Sequence, residues 1–277
     1  MSQAAFSALA ALLHARSGLV LGPDKLYLVE TRLGALMKRE GLGDLGALVG
    51  RLSAPAGEAL AREVVELMTT NETFFFRDGK PFEHVRTSAL RRLHAARPAG
   101  QPIRIWSAAC SSGQEAYSLA MIVAEARPWL GDRRVEILGT DLSREVLARA
   151  REGLYSQFEV QRGLPIQLLV KHFRQEGTAW RLSEAIRSMV TWREGNLLGD
   201  LRALGRFDIV FCRNVLIYFD QPTKARVLDA IAAQMPPDGV LYLGGAETVL
   251  GITDRFAAVA GERGVYEPAS GTRTAAA

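Results

Sequence analysis

Apolar residues recur at every third or fourth position through most of the first hundred residues. That period predicts helices over 3–16, 24–40, 45–52, 57–69 and 80–97. Gly, Pro or Asp punctuates each of them, with Gly18 and Gly41 closing the first two. Within 24–40, Leu26, Val29, Leu33, Leu36 and Met37 share one face, while Lys25, Arg32 and Arg39 fall on a stripe away from it. The run Arg97-Pro98-Ala99-Gly100-Gln101-Pro102 breaks the helical pattern, so a domain boundary is expected there, separating 1–97 from 98–277. Beyond it, strand-like apolar runs at 103–107, 135–140, 207–212 and 240–244 alternate with helical stretches at 115–127, 144–152 and 222–235. Such alternation predicts an α/β domain with a doubly wound, mostly parallel sheet. The order is interrupted at about 153–195 by a proline-broken helical stretch to His172 and short strands around 173, 180–182 and 189–193. This piece is expected to be an inserted small antiparallel β subdomain with a turn at Glu176-Gly177.

Composition narrows the class further. Hydrophobic residues make up 48% of the 277, enough for a substantial core, which excludes disorder throughout. No apolar run reaches membrane-spanning length and the N-terminus lacks a basic leader, so no direct membrane insertion and a cytoplasmic location are expected. Cys110 and Cys212 lie far apart without ligand spacing and are expected to be reduced packing residues. His14, His84, His94 and His172 are scattered, and no metal site is expected. A net charge of +4 is too small to name a partner. The tail SGTRTAAA, 270–277, is expected to be disordered.

In a doubly wound sheet, ligands sit beyond the carboxyl ends of the strands. That rule gathers 108–115, Asp141 and 213–218 around one crevice. The loop AACSSGQE has small residues that permit close backbone approach, but not the G-x-G-x-x-G spacing of a pyrophosphate loop. A phosphate-free, cationic ligand such as S-adenosylmethionine suits it, with Glu115 toward the aminoacyl end and Asp141 toward the ribose hydroxyls. Taken singly, Glu115 could be a helix N-terminal charge and Asp141 a helix cap.

Four stretches in order, LMTTNETFFFRD, IWSAACSSGQEAYSLA, ILGTDLS and FCRNVLIYFD, closely resemble the motifs of the chemotaxis receptor methyltransferase family, CheR. The resemblance covers nearly the whole chain. It implies an all-helical N-terminal domain, a class I adenosylmethionine-dependent methyltransferase domain and a small inserted β subdomain. It also implies a protein-glutamate O-methyltransferase that forms methyl esters on cytoplasmic helices of methyl-accepting chemotaxis receptors during sensory adaptation, releasing S-adenosylhomocysteine. Carried over by position, it implies that Asn71, Thr73 and Arg77 reach the cofactor from the N-terminal side, closing the site across two domains. It sets Asn196 and Leu197 beside the adenine, and Asn214 and Val215 near the cofactor. Gln114 and Ala116 depart from the commoner Glu and Pro of the family.

An ionised carboxylate and a sulfonium need no general base, so the protein has only to align them and exclude water. Arg77 is expected to orient the acceptor carboxylate, with Tyr218 as its helper, while Phe74, Phe75 and Phe76 are expected in the core. The expected partner is the receptor cytoplasmic domain. A glutamate-rich receptor helix would meet the Lys25, Arg32 and Arg39 stripe, and the inserted hairpin could offer an edge strand to a tethering peptide. No nucleic acid is expected, since a basic run with stacking aromatics is lacking, and a monomer is expected. Two alternatives stay open: a methyltransferase-like signalling scaffold without turnover, and an adenosylmethionine methyltransferase with another substrate.

Overall fold

A computed structural model describes residues 2–269, so the tail 270–277 lies outside the described residues. The chain divides into two units, Met1–Thr70 with Tyr218–Thr223, and Asn71–Ile217 with Lys224–Ala277.

The first unit is helical: α1 (Gln3–Ser17), α2 (Leu26–Arg39), α3 (Leu45–Leu52) and α4 (Glu58–Met68). Gly18 ends α1 in the left-handed conformation, its N–H bonding the His14 carbonyl, and Asp44 caps α3 by accepting from Ala47 N. Leu9, Leu13, Val29, Leu33, Leu48 and Val64 are fully buried, each contributing roughly 1.5–3 kcal/mol of apolar burial. Residues 218–223 join this unit because Tyr218 O accepts from Val20 N and the Phe219 ring lies 3.1 Å from where a Gly18 Cβ would stand.

The basic stripe on α2 differs from its sequence expectation. Arg32 turns inward to the C-terminal end of α4, donating to the carbonyls of Met68 (2.7 Å) and Thr69 (2.8 Å). Arg39 makes a two-pronged pair with Glu63 at 2.7 Å. Two of the three stripe cations therefore serve the helical unit itself, where Arg32 meets the negative end of a helix dipole.

The second unit opens with α5 (Lys80–His84), which runs through a wider π turn (Val85–Ala89) into α6 (Leu90–Ala96). Then come β1 (Ile103–Ala108), α7 (Gln114–Glu125), α8 (Arg127–Leu130), β2 (Val135–Asp141) and α9 (Arg144–Glu152). The insertion holds β3 (Leu154–Ser156), α10 (Gln157–Gln161), α11 (Ile166–His172), β4 (Phe173–Glu176) and β5 (Ala179–Leu182). It is followed by α12 (Glu184–Arg187), β6 (Val190–Glu194), β7 (Ile209–Cys212), α13 (Gln221–Ala233), β8 (Val240–Leu243), β9 (Phe256–Ala258) and β10 (Val265–Pro268).

Seven strands form the main sheet in the order β6-β2-β1-β7-β8-β10-β9, with β6 through β8 parallel and β10 antiparallel to both its neighbours. The register lines up the carboxyl ends: Ala108 stands opposite both Thr140 and Cys212. Strand order reverses between β1 and β7, which makes that edge the switch point where a ligand crevice opens. Beneath it α7 is buried from Gln114 to Val123, as a helix apolar on nearly all sides must be.

Three sequence expectations change here. Residues 80–96 belong to the sheet unit, because Val85, Ala89, Leu90 and Leu93 are buried in one core with Ile103, Ile105 and Phe211. The boundary thus falls at 70/71, not 97/98, and Asn71, Thr73 and Arg77 lie in the same unit as the sheet. The stretch 189–193 is β6 of the main sheet and not part of the inserted hairpin, since Val190 pairs with Ile137 in parallel. Trp192 there fills the space a side chain on Gly139 would need, at 2.4 Å. The inserted sheet is β3-β5-β4, with the expected hairpin turn carrying Gly177 at φ 60°. Of the three phenylalanines, Phe75 is core, edge-on to Tyr155 at 5.0 Å and Phe173 at 5.6 Å, and Phe76 packs half-buried on Phe82. Phe74 instead lies half-buried among arginines.

Candidate active site

Four segments of the sheet unit meet at the switch point: 71–79, the loop 109–115 after β1, the end of β2 at Asp141, and 213–217 after β7. Among the described residues only Phe76, Asp78, Ala109, Ser111 and Asn214 are non-glycine residues with left-handed backbone, and all five lie in these segments. Each such conformation costs about 1 kcal/mol and persists only where the surroundings over-determine it. The over-determination is visible. Ser111 Oγ donates to the Asn71 carbonyl (2.7 Å), Ser118 Oγ accepts from Phe76 N (3.0 Å), and Tyr155 Oη donates to the Ser112 carbonyl (2.8 Å).

Three buried carboxylates organise the floor. Asp141 accepts from Ser111 N at 2.8 Å and Ser143 N at 2.9 Å, which fixes the loop after β1 to the end of β2. Glu115, in the first turn of α7, accepts from the Ser107 hydroxyl at 2.8 Å and from Arg213 Nη1 at 3.0 Å. Burial pushes its carboxyl above the ordinary range, with Arg213 and Ser107 pulling the other way and Glu247 adding to the rise. Glu247 accepts from four backbone N–H groups, those of Asn214 (2.8 Å), Val215 (2.9 Å), Ile217 (3.3 Å) and Gly244 (2.6 Å).

Arg213 is the centre of the arrangement. Its side chain is 1% exposed, and besides Glu115 it reaches the Arg77 carbonyl at 2.9 Å and Asp78 Oδ2 at 2.6 Å through Nη2. Its Nε, also buried, finds no acceptor among the described residues. The buried cation thus ties α7 to the Arg77 carbonyl and the Asp78 carboxylate. The Arg77 side chain is half-buried, donates to the Glu72 carbonyl at 3.0 Å and lies over the Phe74 ring at 5.4 Å.

Of the residues expected from sequence, Asn71, Arg77, Glu115, Asp141, Asn214 and Val215 are joined by these bonds. Thr73 lies in the same 71–79 segment, half-buried. Asn196 and Leu197 follow β6, and the Gly195 N–H before them bonds the Asp141 carbonyl at 2.9 Å, so that pair stands at the neighbouring strand end. Tyr218 groups with the helical unit. Sequence reasoning assigned no role to Arg213, Glu247, Ser107, Ser111 or Asp78. A buried arginine in an otherwise apolar strand-end run was the available signal for the first. Nothing marked Glu247, three of whose four partners are backbone groups 30 to 33 residues away.

Residues 71–265 match the family described as CheR methyltransferase, SAM binding domain, and residues 4–69 match its companion, the all-alpha domain. The chain belongs to the CheR methyltransferase family. The methyltransferase is 43% identical over 243 residues to chemotaxis protein methyltransferase Cher2 of Pseudomonas putida, covering 86% of this chain and 88% of that one. It is 43% identical over 259 residues to chemotaxis protein methyltransferase 1 of Pseudomonas aeruginosa, with 92% and 94% covered. A Vibrio cholerae protein of the same name is 39% identical over 248 residues, with 88% and 89% covered. The junction of the two family matches, between 69 and 71, coincides with the division between the units at 70/71. The methyltransferase uses S-adenosylmethionine, on a class I fold with a helical N-terminal domain. Among the described residues no helix is long and apolar enough to cross a membrane.

Proposed function

We propose that this methyltransferase esterifies glutamate side chains on cytoplasmic helices of methyl-accepting chemotaxis receptors, acting as a cytoplasmic monomer. The observation that carries the reading is Arg213, one buried cation bonded both to Glu115 and to the carbonyl of Arg77. One end of that network suits the cofactor and the other an anionic acceptor.

The residues fit S-adenosylmethionine. Its amino-acid tail carries both charges, so it needs an anion and a donor close together. Glu115 supplies the anion, and the unpartnered Arg213 Nε supplies an N–H for the tail carboxylate. Asp141, held at the end of β2 by backbone N–H groups of Ser111 and Ser143, is assigned to the ribose hydroxyls. Asn71, Thr73, Asn196, Leu197, Asn214 and Val215 are assigned to the remaining cofactor wall.

Bound S-adenosylmethionine supplies a methyl group on a cationic sulfur, and S-adenosylhomocysteine remains when the methyl has gone. A glutamate carboxylate is already a nucleophile, so no proton moves and no general base is required. The chain's own residues orient and dehydrate. Arg77, planar and always charged, is assigned to hold the acceptor carboxylate, and Tyr218 to assist it. Holding oxygen, carbon and sulfur in line is worth several kcal/mol of the barrier. The names of the relatives support the pathway.

The test is incubation with methyl-labelled S-adenosylmethionine and a purified receptor cytoplasmic fragment. Base-labile label on receptor glutamates is expected. Base-stable label would mean another acceptor atom, and cofactor binding without transfer would mean a scaffold.

A further inference from the structure

We propose that Arg162, where α10 ends, is a positioning residue for Arg77 and thereby for the acceptor carboxylate, an inference that rests on the proposed role of Arg77. Nothing in the methyl transfer itself calls for Arg162, which lies in the inserted subdomain. Its contacts nevertheless converge on the segment that carries Arg77. Nη2 of Arg162 pairs with Glu72 Oε1 at 2.7 Å, and the carbonyl of that same Glu72 accepts from Arg77 Nη1 at 3.0 Å. The Arg162 guanidinium lies 4.3 Å from the centroid of the Phe74 ring, the ring over which Arg77 also lies, at 5.4 Å.

The backbone beside Arg162 is seated just as closely. Gly163 has φ +83°, and a Cβ there would stand 2.1 Å from the Phe75 carbonyl oxygen, so the two segments approach to a distance only glycine allows. Arg77 needs such support. Its carbonyl is pinned by Arg213 and its neighbours Phe76 and Asp78 hold left-handed backbone, but its long side chain has one hydrogen bond in the structure. Fixing a free arginine side chain costs on the order of 2 kcal/mol of rotamer entropy. Arg162 lowers that cost by immobilising both surfaces against which Arg77 rests. The Glu72 carboxyl is held below the usual carboxylate range, first by the Arg162 hydrogen bond and also by the nearby Arg77 charge, so the pair is ionised at neutral pH. The insertion thereby reaches the reacting end of the site through one side chain.

The experiment uses the full chain, labelled S-adenosylmethionine and a purified receptor cytoplasmic fragment. Arg162→Ala is expected to lower kcat/KM for the receptor about tenfold, with S-adenosylmethionine affinity and melting temperature unchanged. Arg162→Lys keeps a charge for Glu72 but loses the planar contact with Phe74, and is expected to recover only part of the loss. In an Arg77→Lys background, Arg162→Ala should change the rate less than about twofold, because the group it positions has gone. An equal loss in both backgrounds, or no loss in either, would overturn the proposal. Should Arg162→Ala melt early, Glu72→Gln cuts the same pair from the other side and is judged by the same comparison. A wild-type enzyme that forms no base-labile ester on the receptor defeats the proposed function, and this inference with it. A wild-type enzyme that does so, with Arg162→Ala equally active, defeats this inference alone.

Discussion

Glu115 and Glu72 each pair with an arginine of their own unit, yet their carboxyls are displaced in opposite directions. Glu115 meets Arg213 at 3.0 Å where the two side chains are 11% and 1% exposed, and burial carries it above its ordinary range despite the pairing. Glu72 meets Arg162 at 2.7 Å with 57% and 42% exposed, and there the hydrogen bond wins and draws it down. The inner pair is a buried ion pair whose desolvation outweighs its attraction, and the outer one is a solvated pair with little to lose or gain. The difference teaches which half of the site is kept for function at a cost in stability. The same half contains the buried arginine without a partner for Nε and the strained residues Ala109, Ser111 and Asn214.

The harshest way to break this comparison is to remove the inner cation. Arg213→Ala leaves Glu115 buried without its counter-charge and frees the backbone at Arg77, so a loss of about 3 kcal/mol is expected in chemical denaturation. Methyl transfer should vanish with it. A loss below about 1 kcal/mol would show that the floor relaxes or takes in water, and the contrast with the rim would collapse.

Arg77→Ala comes next in size. Its side chain makes one hydrogen bond and one ring contact, so stability is expected to hold within about 0.5 kcal/mol. Transfer to the receptor should fall about a hundredfold or more, ~2.7 kcal/mol of transition-state stabilisation. Near-normal turnover in initial-rate assays would remove Arg77 from the chemistry.

Much of this floor is legible in the amino-acid sequence. The apolar runs that form β7 and β8 are buried throughout and continuous in sequence, and in β1 and β2 burial is interrupted only at the partly buried Arg104, Glu136 and Leu138. Asp141 stands at the end of one of those runs and Glu115 in the first turn of the helix that follows another. What escapes is whatever depends on partners distant in sequence. β6 carries Thr191, Arg193 and Glu194 on exposed positions and reads as part of a surface hairpin, whereas Val190 and Trp192 pack it against β2. The strands β9 and β10 are three and four residues long, too short for a period to show. The helical run 80–96 has a plain apolar face, but nothing in that face says whether helices or a sheet will cover it. Arg32 reads as free on its stripe because its acceptors are main-chain carbonyls 36 and 37 residues away.

The two partners of the inner pair should also behave unequally, which sharpens the contrast with the rim. Because the folded-state carboxyl of Glu115 is raised, its contribution to stability is full below the ordinary carboxyl range and is lost as pH rises through the folded value. Glu115→Gln, which mimics the protonated form, should therefore melt with wild type in acid and no lower than wild type at neutral pH. Its S-adenosylmethionine affinity, read by calorimetry, should nonetheless fall at least about tenfold, the loss of one charge-assisted contact. A neutral-pH melting temperature well below wild type would mean that the pair stabilises the fold after all.

The smallest effect belongs to the rim. For Glu72 the sign reverses: its lowered carboxyl contributes above the ordinary range and loses that contribution only as pH falls through the depressed value, so pH near neutrality leaves the Arg162 pair intact. Salt is the sharper tool. Raising ionic strength from about 0.1 M to about 1 M shortens the screening length from about 10 Å to about 3 Å. The ratio of wild-type to Arg162→Ala kcat/KM should then narrow by about twofold, the scale of an exposed ion pair. Taking the ratio cancels the salt dependence of receptor encounter common to both proteins. The melting difference between wild type and Arg213→Ala should not move, because its charges lie where counter-ions do not reach. A ratio that stays constant would assign the Arg162 effect to its contact with the Phe74 ring, which salt leaves alone, and not to the charge on Glu72.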